Sequence, residues 1–192
     1  MPRPPRIKYE LAYYHVFNRG VNKMPIFFDD FDRQLFLKIC RQVTVEMHVR
    51  VFAFCLMHNH YHFFIQTKSA NVDKFMQKLQ SRYAQFANFR HGRVGALFQG
   101  RYQSRVVDVD SYALTLTRYI HMNPVTSGYV KTPGDYPWSS YDDYLENKRT
   151  SWISTHLILD LLGGKNKVSH KQFEEFHQAV PQGSDPSDPT RL

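Results

Sequence analysis

Two shortages in the sequence narrow the class of protein before any motif is considered. The 192 residues include only two cysteines, Cys40 and Cys55, which are too few for a disulfide scaffold and are not spaced as a paired metal motif. No stretch approaches the roughly 20 apolar residues of a membrane-spanning helix. The basic N-terminal residues are not followed by the apolar segment of a secretory signal. We therefore expect a cytoplasmic protein in a reducing compartment, with no membrane partner.

Acidic residues are missing from one long internal window. The chain carries 25 Lys and Arg against 17 Asp and Glu, a net charge of +8, yet residues 74–107 contain no acidic residue. This window interleaves cations with aromatic residues, which is typical of nucleic-acid binding because cations hold phosphates while rings stack on unpaired bases. The alternative is a solvated basic face over a core that takes all the rings. The candidate DNA-binding cations are Lys78, Arg82, Arg90, Arg93, Arg101 and Arg105. The interleaved aromatic residues are Phe75, Tyr83, Phe86, Phe89, Phe98 and Tyr102.

A second basic segment, residues 1–10, opens the chain. Arg3, Arg6 and Lys8 are spaced by prolines, which keep the segment out of a helix or a central strand. We expect a basic arm that is free to lie along DNA. The alternative is a disordered and merely sticky tail.

Periodicity and turn residues predict the order β-α-β-β-α-β-α. The predicted strands are residues 11–18, 49–57, 60–67 and 101–107, the middle two separated by the two residues of a tight hairpin. The predicted helices begin at the acidic residues 29–32, at Asn71 and at Asp110. The last of these helices should end at Met122, because proline disfavours a helical residue before it. The pattern predicts an α+β domain in which helices cover one face of an antiparallel sheet, with a short amphipathic helix over 169–179 beyond it.

The candidate chemistry centres on a histidine-rich segment, residues 58–62 (HNHYH). Residues two apart on a strand face the same side, so His60 and His62 present their imidazoles together and can chelate one divalent metal ion. His58 shares this parity but lies at the turn. A surface strand with coincidental histidines is the alternative.

A second pair of residues lies on the last helix of the predicted domain. Tyr119 and Asn123 are four residues apart and are therefore neighbours on one helical face. The tyrosine can act as a nucleophile, and the amide oxygen can complete a metal site. The alternative is a packing role, since the chain has 12 tyrosines.

Four segments of the chain resemble one protein family and occur in that family's order. They are residues 14–20 (YHVFNRG), 55–62 (CLMHNHYH), 123–128 (NPVTSG) and 136–141 (YPWSSY). The chain is similar to the REP-associated tyrosine transposases, relatives of the single-tyrosine HUH transposases of insertion-sequence-200-like elements. Two positions depart from the family pattern: His58, where relatives usually carry proline, and the bulky Tyr61.

The resemblance implies an RRM- or ferredoxin-like sheet with the histidine pair on a central strand. It also implies that Tyr119 is the nucleophile and that Asn123 joins His60 and His62 as a ligand of Mg²⁺ or Mn²⁺. The implied activity is that of a bacterial, nucleoid-associated endonuclease and strand transferase, which cleaves and rejoins single-stranded DNA at repetitive palindromic hairpins through a 5′-phosphotyrosine. The N-terminal arm would help to hold a single-stranded guide at the hairpin foot. A homodimer is left open.

The competing interpretation is a non-catalytic, RRM-like regulator that binds DNA or RNA. Such a module has no need of His60, His62, Tyr119 and Asn123 together, and all four are present, so we favour the enzyme. The enzyme interpretation divides the chain into a basic arm (1–10), an HUH transposase domain (11–145), a C-terminal extension (146–180) and a disordered tail (181–192).

Overall fold

The computed structural model describes residues 7–145, 152–164 and 168–178 of the chain. Its single sheet is built from β1 (Tyr13–Arg19), β2 (Val49–Leu56), β3 (His60–Thr67) and β4 (Gln103–Val106). The strands lie in the order β2-β3-β1-β4, and every neighbouring pair is antiparallel. The predicted α+β class is therefore confirmed, and β3 is a central strand.

Four strands were predicted and four are observed, with differences at their ends. β3 coincides with its predicted range, and β2 ends one residue early. The Met57 N–H donates to the carbonyl of His60 at 2.8 Å, which closes the predicted tight hairpin. β4 is shorter than predicted because it is an edge strand that pairs only with β1, over four residues.

Six α-helices lie in the described part of the chain. They are α1 (Asp30–Met47), α2 (Val72–Arg90), α3 (Val109–Thr126), α4 (Tyr141–Tyr144), α5 (His156–Gly163) and α6 (His170–Gln178). α6 confirms the predicted short C-terminal helix. None of the helices in the described ranges is long and apolar enough to cross a membrane.

Both ends of α3 differ from the prediction. The N-cap is Asp108, whose carboxylate accepts from the N–H groups of Asp110 and Ser111, so the expectation of an Asp110 cap was wrong. The helix also continues through Pro124 to Thr126 instead of ending at Met122. Proline has no N–H for the preceding turn, but here the side chain of Pro124 is buried, and only a few more helical residues follow. Tertiary packing therefore outweighs the local preference.

The cap of α2 is a smaller correction. Asn71 occupies the N-cap position, but its side chain makes no capping hydrogen bond. Its amide nitrogen instead donates to the carbonyl of Met47 at the end of α1, at 3.0 Å. The residue therefore ties two helices together where a local cap was expected.

The two faces of the sheet bury different helices, so the expectation that the helices cover only one face was wrong. On one face, Tyr61 and Phe63 of β3 join side chains of α1 and α2 in a first core cluster. On the other face, Phe64 of β3 joins Leu116 and Ile120 of α3 in a second cluster, to which the C-terminal helices contribute. Since side chains alternate along a strand, the histidines at 60 and 62 belong to the α3 face.

The aromatic segment after α3, residues 133–141, packs along β2 as an ordered loop. The Tyr136 hydroxyl donates to the carbonyl of Leu56 at 2.8 Å, and the Leu56 N–H donates to the carbonyl of Trp138 at 2.8 Å. The Tyr144 hydroxyl donates to the carbonyl of Phe52 at 2.7 Å. These bonds fix the segment that follows α3 against β2, an edge strand of the sheet.

Candidate active site

The histidine pair lies at the centre of the sheet, on the face that α3 covers. His60 and His62 have their ring centroids 5.2 Å apart. Antiparallel pairing places Arg19 of β1 opposite His60 and Phe17 opposite His62. The structure therefore brings the two predicted metal ligands together, as strand parity predicted. His58 lies in the hairpin turn and is exposed, and its carbonyl accepts from the N–H groups of Ile26 and Phe27.

His62 is fully buried and its imidazole is neutral. Desolvation holds its pKa well below the usual value, and the neighbouring His15 and His60 reinforce this shift. Its Nδ1 lies 3.0 Å from Nε2 of His15. Its Nε2 is buried and makes no hydrogen bond in the structure. A neutral, buried imidazole with an unpaired nitrogen is the form in which histidine binds metals.

Tyr119 of α3 lies against this histidine pair. Its ring meets His62 edge-on, with centroids 5.4 Å apart, and meets His15 in the same way at 5.9 Å. Side chains from β1, β3 and α3 of one chain therefore meet at this site. The structure brings the predicted nucleophile beside one of the two predicted metal ligands.

Asn123 lies one turn beyond Tyr119 on the same helix. Its amide nitrogen donates to the carbonyl of Tyr119 at 3.0 Å, which sets the orientation of the carboxamide. In the described ranges, no three side chains of His, Cys, Asp or Glu are grouped so as to bind one metal ion. A third protein ligand beside the two histidines would therefore be of another type, and the carboxamide oxygen of Asn123 is of a suitable kind.

The state of His62 supports the binding of a divalent metal ion by this set of side chains. A buried ring nitrogen without a hydrogen-bond partner costs stability unless it has a function, and coordination would satisfy it. Two imidazoles and an amide oxygen suit Mn²⁺ as well as or better than Mg²⁺, which prefers oxygen ligands.

His15 is the site residue that sequence reasoning missed. It is 1 % exposed and contacts both His62 and Tyr119. Burial lowers its pKa to about 3, and the charge of Arg105 adds to this effect. The signal was present in the segment YHVFNRG, but only the pairing of β1 with β3 shows that this histidine faces the motif.

The predicted DNA-binding cations fall into two groups, and those of the first have carboxylate partners. Lys78 and Arg82 of α2 both bind Glu46 of α1, and these two cations hold the pKa of Glu46 below its usual range. Arg90 binds Asp29 at 2.7 Å and Asp32 at 2.6 Å. Residues 74–107 contain no acidic residue, but in the folded chain their cations lie beside carboxylates of α1 and of its N-cap, Asp29.

Another paired cation lies at the start of the described chain. Lys8 binds Asp73 at the start of α2, at 2.7 Å. The other two cations of the predicted arm, Arg3 and Arg6, lie outside the described residues, as does the predicted tail, 181–192.

The second group of cations lies elsewhere on the surface. Arg105 of β4 pairs in register with His15, so its side chain is on the histidine face of the sheet. Arg101 is exposed in the segment before β4. Arg93 lies over the ring of Phe28, with 5.5 Å from the guanidinium carbon to the ring centroid.

Most of the interleaved aromatic rings are core residues. Phe75, Tyr83, Phe98 and Tyr102 are buried in the first core cluster, as the alternative interpretation expected. Phe89, in contrast, is 90 % exposed. Most aromatic rings of residues 74–107 are therefore not available to stack on bases.

Comparison with known proteins places the fold and the site in a family. Residues 8–123 match the family model described as "Transposase IS200 like". This match spans more than half of the chain, and the chain therefore belongs to the IS200-like transposases, a family of DNA-cleaving enzymes.

A solved structure shows the same fold. A REP-associated tyrosine transposase bound to a REP hairpin superposes with a TM-score of 0.67 and 15 % identity, covering 77 % of this chain and 87 % of that one. A putative transposase from Deinococcus radiodurans R1 reaches a TM-score of 0.43 and 18 % identity, covering 62 % of this chain and 95 % of that one. No match was found among the curated proteins.

Proposed function

We propose that this transposase cleaves and rejoins single-stranded DNA beside a hairpin, with Tyr119 as the nucleophile. The observation that carries the proposal is the placement of Tyr119 against His62, at 5.4 Å between ring centroids, on the one sheet face that holds the histidine pair. A residue with only a packing role on α3 has no need to face two histidines.

The reaction exchanges one phosphodiester bond for another. The phenolate oxygen of Tyr119 attacks the scissile phosphorus, so that a P–Oη bond forms while the bond from phosphorus to the 3′ oxygen breaks. The 3′ oxygen leaves with a proton as a free 3′-hydroxyl, and the 5′-phosphate stays on the tyrosine. Attack by another 3′-hydroxyl reverses these changes and joins a new strand without ATP, because the phosphotyrosine bond conserves the energy.

The tyrosine hydroxyl must lose its proton before or during the attack. A tyrosine has a reference pKa of about 10, so nearby positive charge favours the nucleophilic form. Arg105 is the candidate for this charge, because it pairs in register with His15, whose ring contacts Tyr119.

His60, His62 and Asn123 are the residues that would hold a divalent metal ion. When bound, such an ion supplies Lewis-acid polarisation of the scissile phosphate and stabilises the charge that builds on its oxygens. The protein's own contribution is a buried, rigid strand that keeps both imidazoles on one face.

The proposed substrate class follows from family and charge together. The solved relative was bound to a REP hairpin, and such a DNA offers both a duplex backbone and exposed bases. Arg101 and Arg105, near β4, are the candidate phosphate contacts on the side of the site. Because Tyr119 and His62 belong to one chain, a single chain carries the proposed nucleophile and ligands.

A covalent trapping experiment tests the proposal. Hairpin DNA with a single-stranded extension, drawn from a selection for bound sequences, is labelled on the 3′ side of the cut and incubated with the protein and Mn²⁺. We expect a labelled protein band on a denaturing gel, and none when the label is on the 5′ side. A native-gel shift without any covalent band under either labelling would favour the non-catalytic regulator.

A further inference from the structure

We propose that His15 and Asn59 are positioning residues, which each accept a hydrogen bond from Nδ1–H of one motif histidine and so direct Nε2 of both rings to the metal ion. This inference rests on the proposed metal-dependent function. It concerns the chain's own hydrogen bonds around the two predicted ligands, and it gives roles to two residues that the proposed reaction does not otherwise use.

Two contacts fix the orientation of the Asn59 carboxamide. Its Nδ2 donates to the carbonyl of Lys23 at 2.9 Å, and this bond distinguishes the nitrogen from the oxygen. The Oδ1 atom therefore faces His60, 2.7 Å from the Nδ1 atom of that ring. A carboxamide oxygen can only accept, so Nδ1 of His60 carries the proton. In a neutral imidazole the lone pair is then on Nε2.

The buried rings of His15 and His62 are in hydrogen-bond contact. Nε2 of His15 and Nδ1 of His62 are 3.0 Å apart, so one proton lies between them. If His62 donates it, the lone pair of His62 is on the buried Nε2 that has no hydrogen-bond partner. If His15 donated it, His62 would carry an N–H at that position, which cannot bind a metal ion. Only the first arrangement makes His62 a ligand, and it makes His15 the acceptor.

The contacts of Asn59 with His60 and of His15 with His62 act in the same way. In each, a neighbour of the metal-binding ring accepts from the nitrogen that does not face the metal, which fixes both the tautomer and the direction of the ring. Asn59 does this from the hairpin turn, and His15 does it from the adjacent strand β1.

The tautomers can be read directly in the metal-free protein. Long-range ¹H–¹⁵N spectra of the ¹⁵N-labelled protein, with signals assigned through His60→Ala and His62→Ala, report which ring nitrogen carries the proton. We expect the Nδ1–H form at both positions. An Nε2–H form at either histidine in the wild-type protein would overturn the role of its proposed acceptor.

Metal affinity gives the second readout. Mn²⁺ binding, measured by calorimetry without DNA, should weaken by about 10–100-fold in His15→Leu and in Asn59→Ala, the usual effect of losing such a partner. His15→Gln and Asn59→Asp keep an acceptor oxygen in reach of the same ring and should retain most of the affinity. Phe17→Leu is the matched control, because Phe17 packs against both His15 and His62 through its ring alone.

The outcomes separate this inference from the proposed function. If the wild-type protein binds no Mn²⁺, the metal-dependent function itself is wrong. If the wild-type protein binds Mn²⁺ and His15→Leu and Asn59→Ala bind it equally well, only the positioning role is wrong. If Phe17→Leu weakens binding as much as His15→Leu, His15 acts by packing. Should His15→Leu fail to fold by circular dichroism, the wild-type tautomers and His15→Gln decide the question.

Discussion

The ring of Tyr119 on α3 meets the ring of His62 on β3 edge-on, with 5.4 Å between centroids. The two residues are 57 positions apart in the sequence, and the packing of α3 on the histidine face brings them together. Neighbouring residues lock that packing, because His121 of α3 lies 2.9 Å from the hydroxyl of Ser140 in the segment along β2. The proposed chemistry therefore depends on how one helix crosses the sheet.

Loss of either motif histidine should remove cleavage and leave DNA binding largely intact. His60→Ala and His62→Ala each take away a proposed metal ligand, and several kcal/mol of charge stabilisation correspond to a loss of about 100-fold or more in cleavage rate. A labelled-hairpin cleavage assay, with and without excess EDTA, measures the effect. His58→Ala is the matched control, because His58 is exposed in the turn. Full cleavage by either variant, or in EDTA, would remove the metal assignment.

The two groups of cations should differ in their contribution to DNA affinity. Lys78 binds Glu46, whereas Arg105 lies on the histidine face. We expect Arg105→Ala to weaken binding to all sequences and to lower the slope of log affinity against log salt by about 1, as one lost phosphate contact does. Lys78→Ala should change the slope less. Anisotropy titrations at several salt concentrations measure both, and equal slopes for the two variants would show that a position on the histidine face gives no advantage in DNA binding.

Removal of the N-terminal arm should reduce discrimination between guide sequences. The prolines of residues 1–8 predict a segment that can lie along a single strand, and base reading there would be separate from phosphate contacts made elsewhere. Competition binding of a variant lacking residues 1–8, against hairpins with matched and scrambled guides, gives the preference ratio. An unchanged ratio with weaker overall binding would reduce the arm to a nonspecific anchor.

Mild acid should destabilise the packing of α6. His177 is buried, and its Nδ1–H donates to the carbonyl of Phe173 at 2.9 Å. Its Nε2 therefore accepts from Nδ1–H of His121 at 3.0 Å. Tyr141 and Arg118 also face the His177 ring. Burial lowers its pKa to about 4, against about 6.5 in an unfolded chain. The unfolded state therefore binds more protons between these values, and stability is lost as the pH falls from about 6.5 towards about 4.

The size of this effect can be measured by urea unfolding. The contribution of His177 to the free energy of unfolding should fall by up to about 3 kcal/mol across that window, an order-of-magnitude value from the pKa difference. Other buried histidines, such as His15 and His62, add to the total loss. His177→Gln should therefore make the pH dependence shallower than in the wild-type protein, whereas a substitution at the exposed His156, His156→Gln, should not. An equally steep dependence in His177→Gln would assign the acid sensitivity to other groups.

Local patterns predicted most of the fold, and tertiary contacts account for what they missed. His60 and His62 are two positions apart on β3, so the sequence alone was sufficient to predict that their rings share one face of the sheet. The end of α3 was not predictable in this way, because burial of Pro124 decides it.

Long-range pairing explains the errors at the site. The role of His15 depends on the register of β1 against β3, and the pairing of Lys78 with Glu46 depends on the contact between α2 and α1. Neither relation has a local signature. The family resemblance supplied the expectation for Tyr119, and the structure adds its place against His62.

In the proposed reaction, Tyr119 becomes covalently joined to the 5′ end of the cut strand. Tyr119→Phe removes one oxygen and keeps the ring, so folding and DNA binding should survive while the adduct disappears. Tyr112→Phe, two turns earlier on α3, is the matched control and should still form the adduct. Tandem mass spectrometry of the trapped wild-type protein, after nuclease and protease digestion, is the most direct measurement. We predict a nucleotide phosphate on Tyr119; the same modification on Tyr112 or any other residue, or an adduct formed by Tyr119→Phe, would contradict the account.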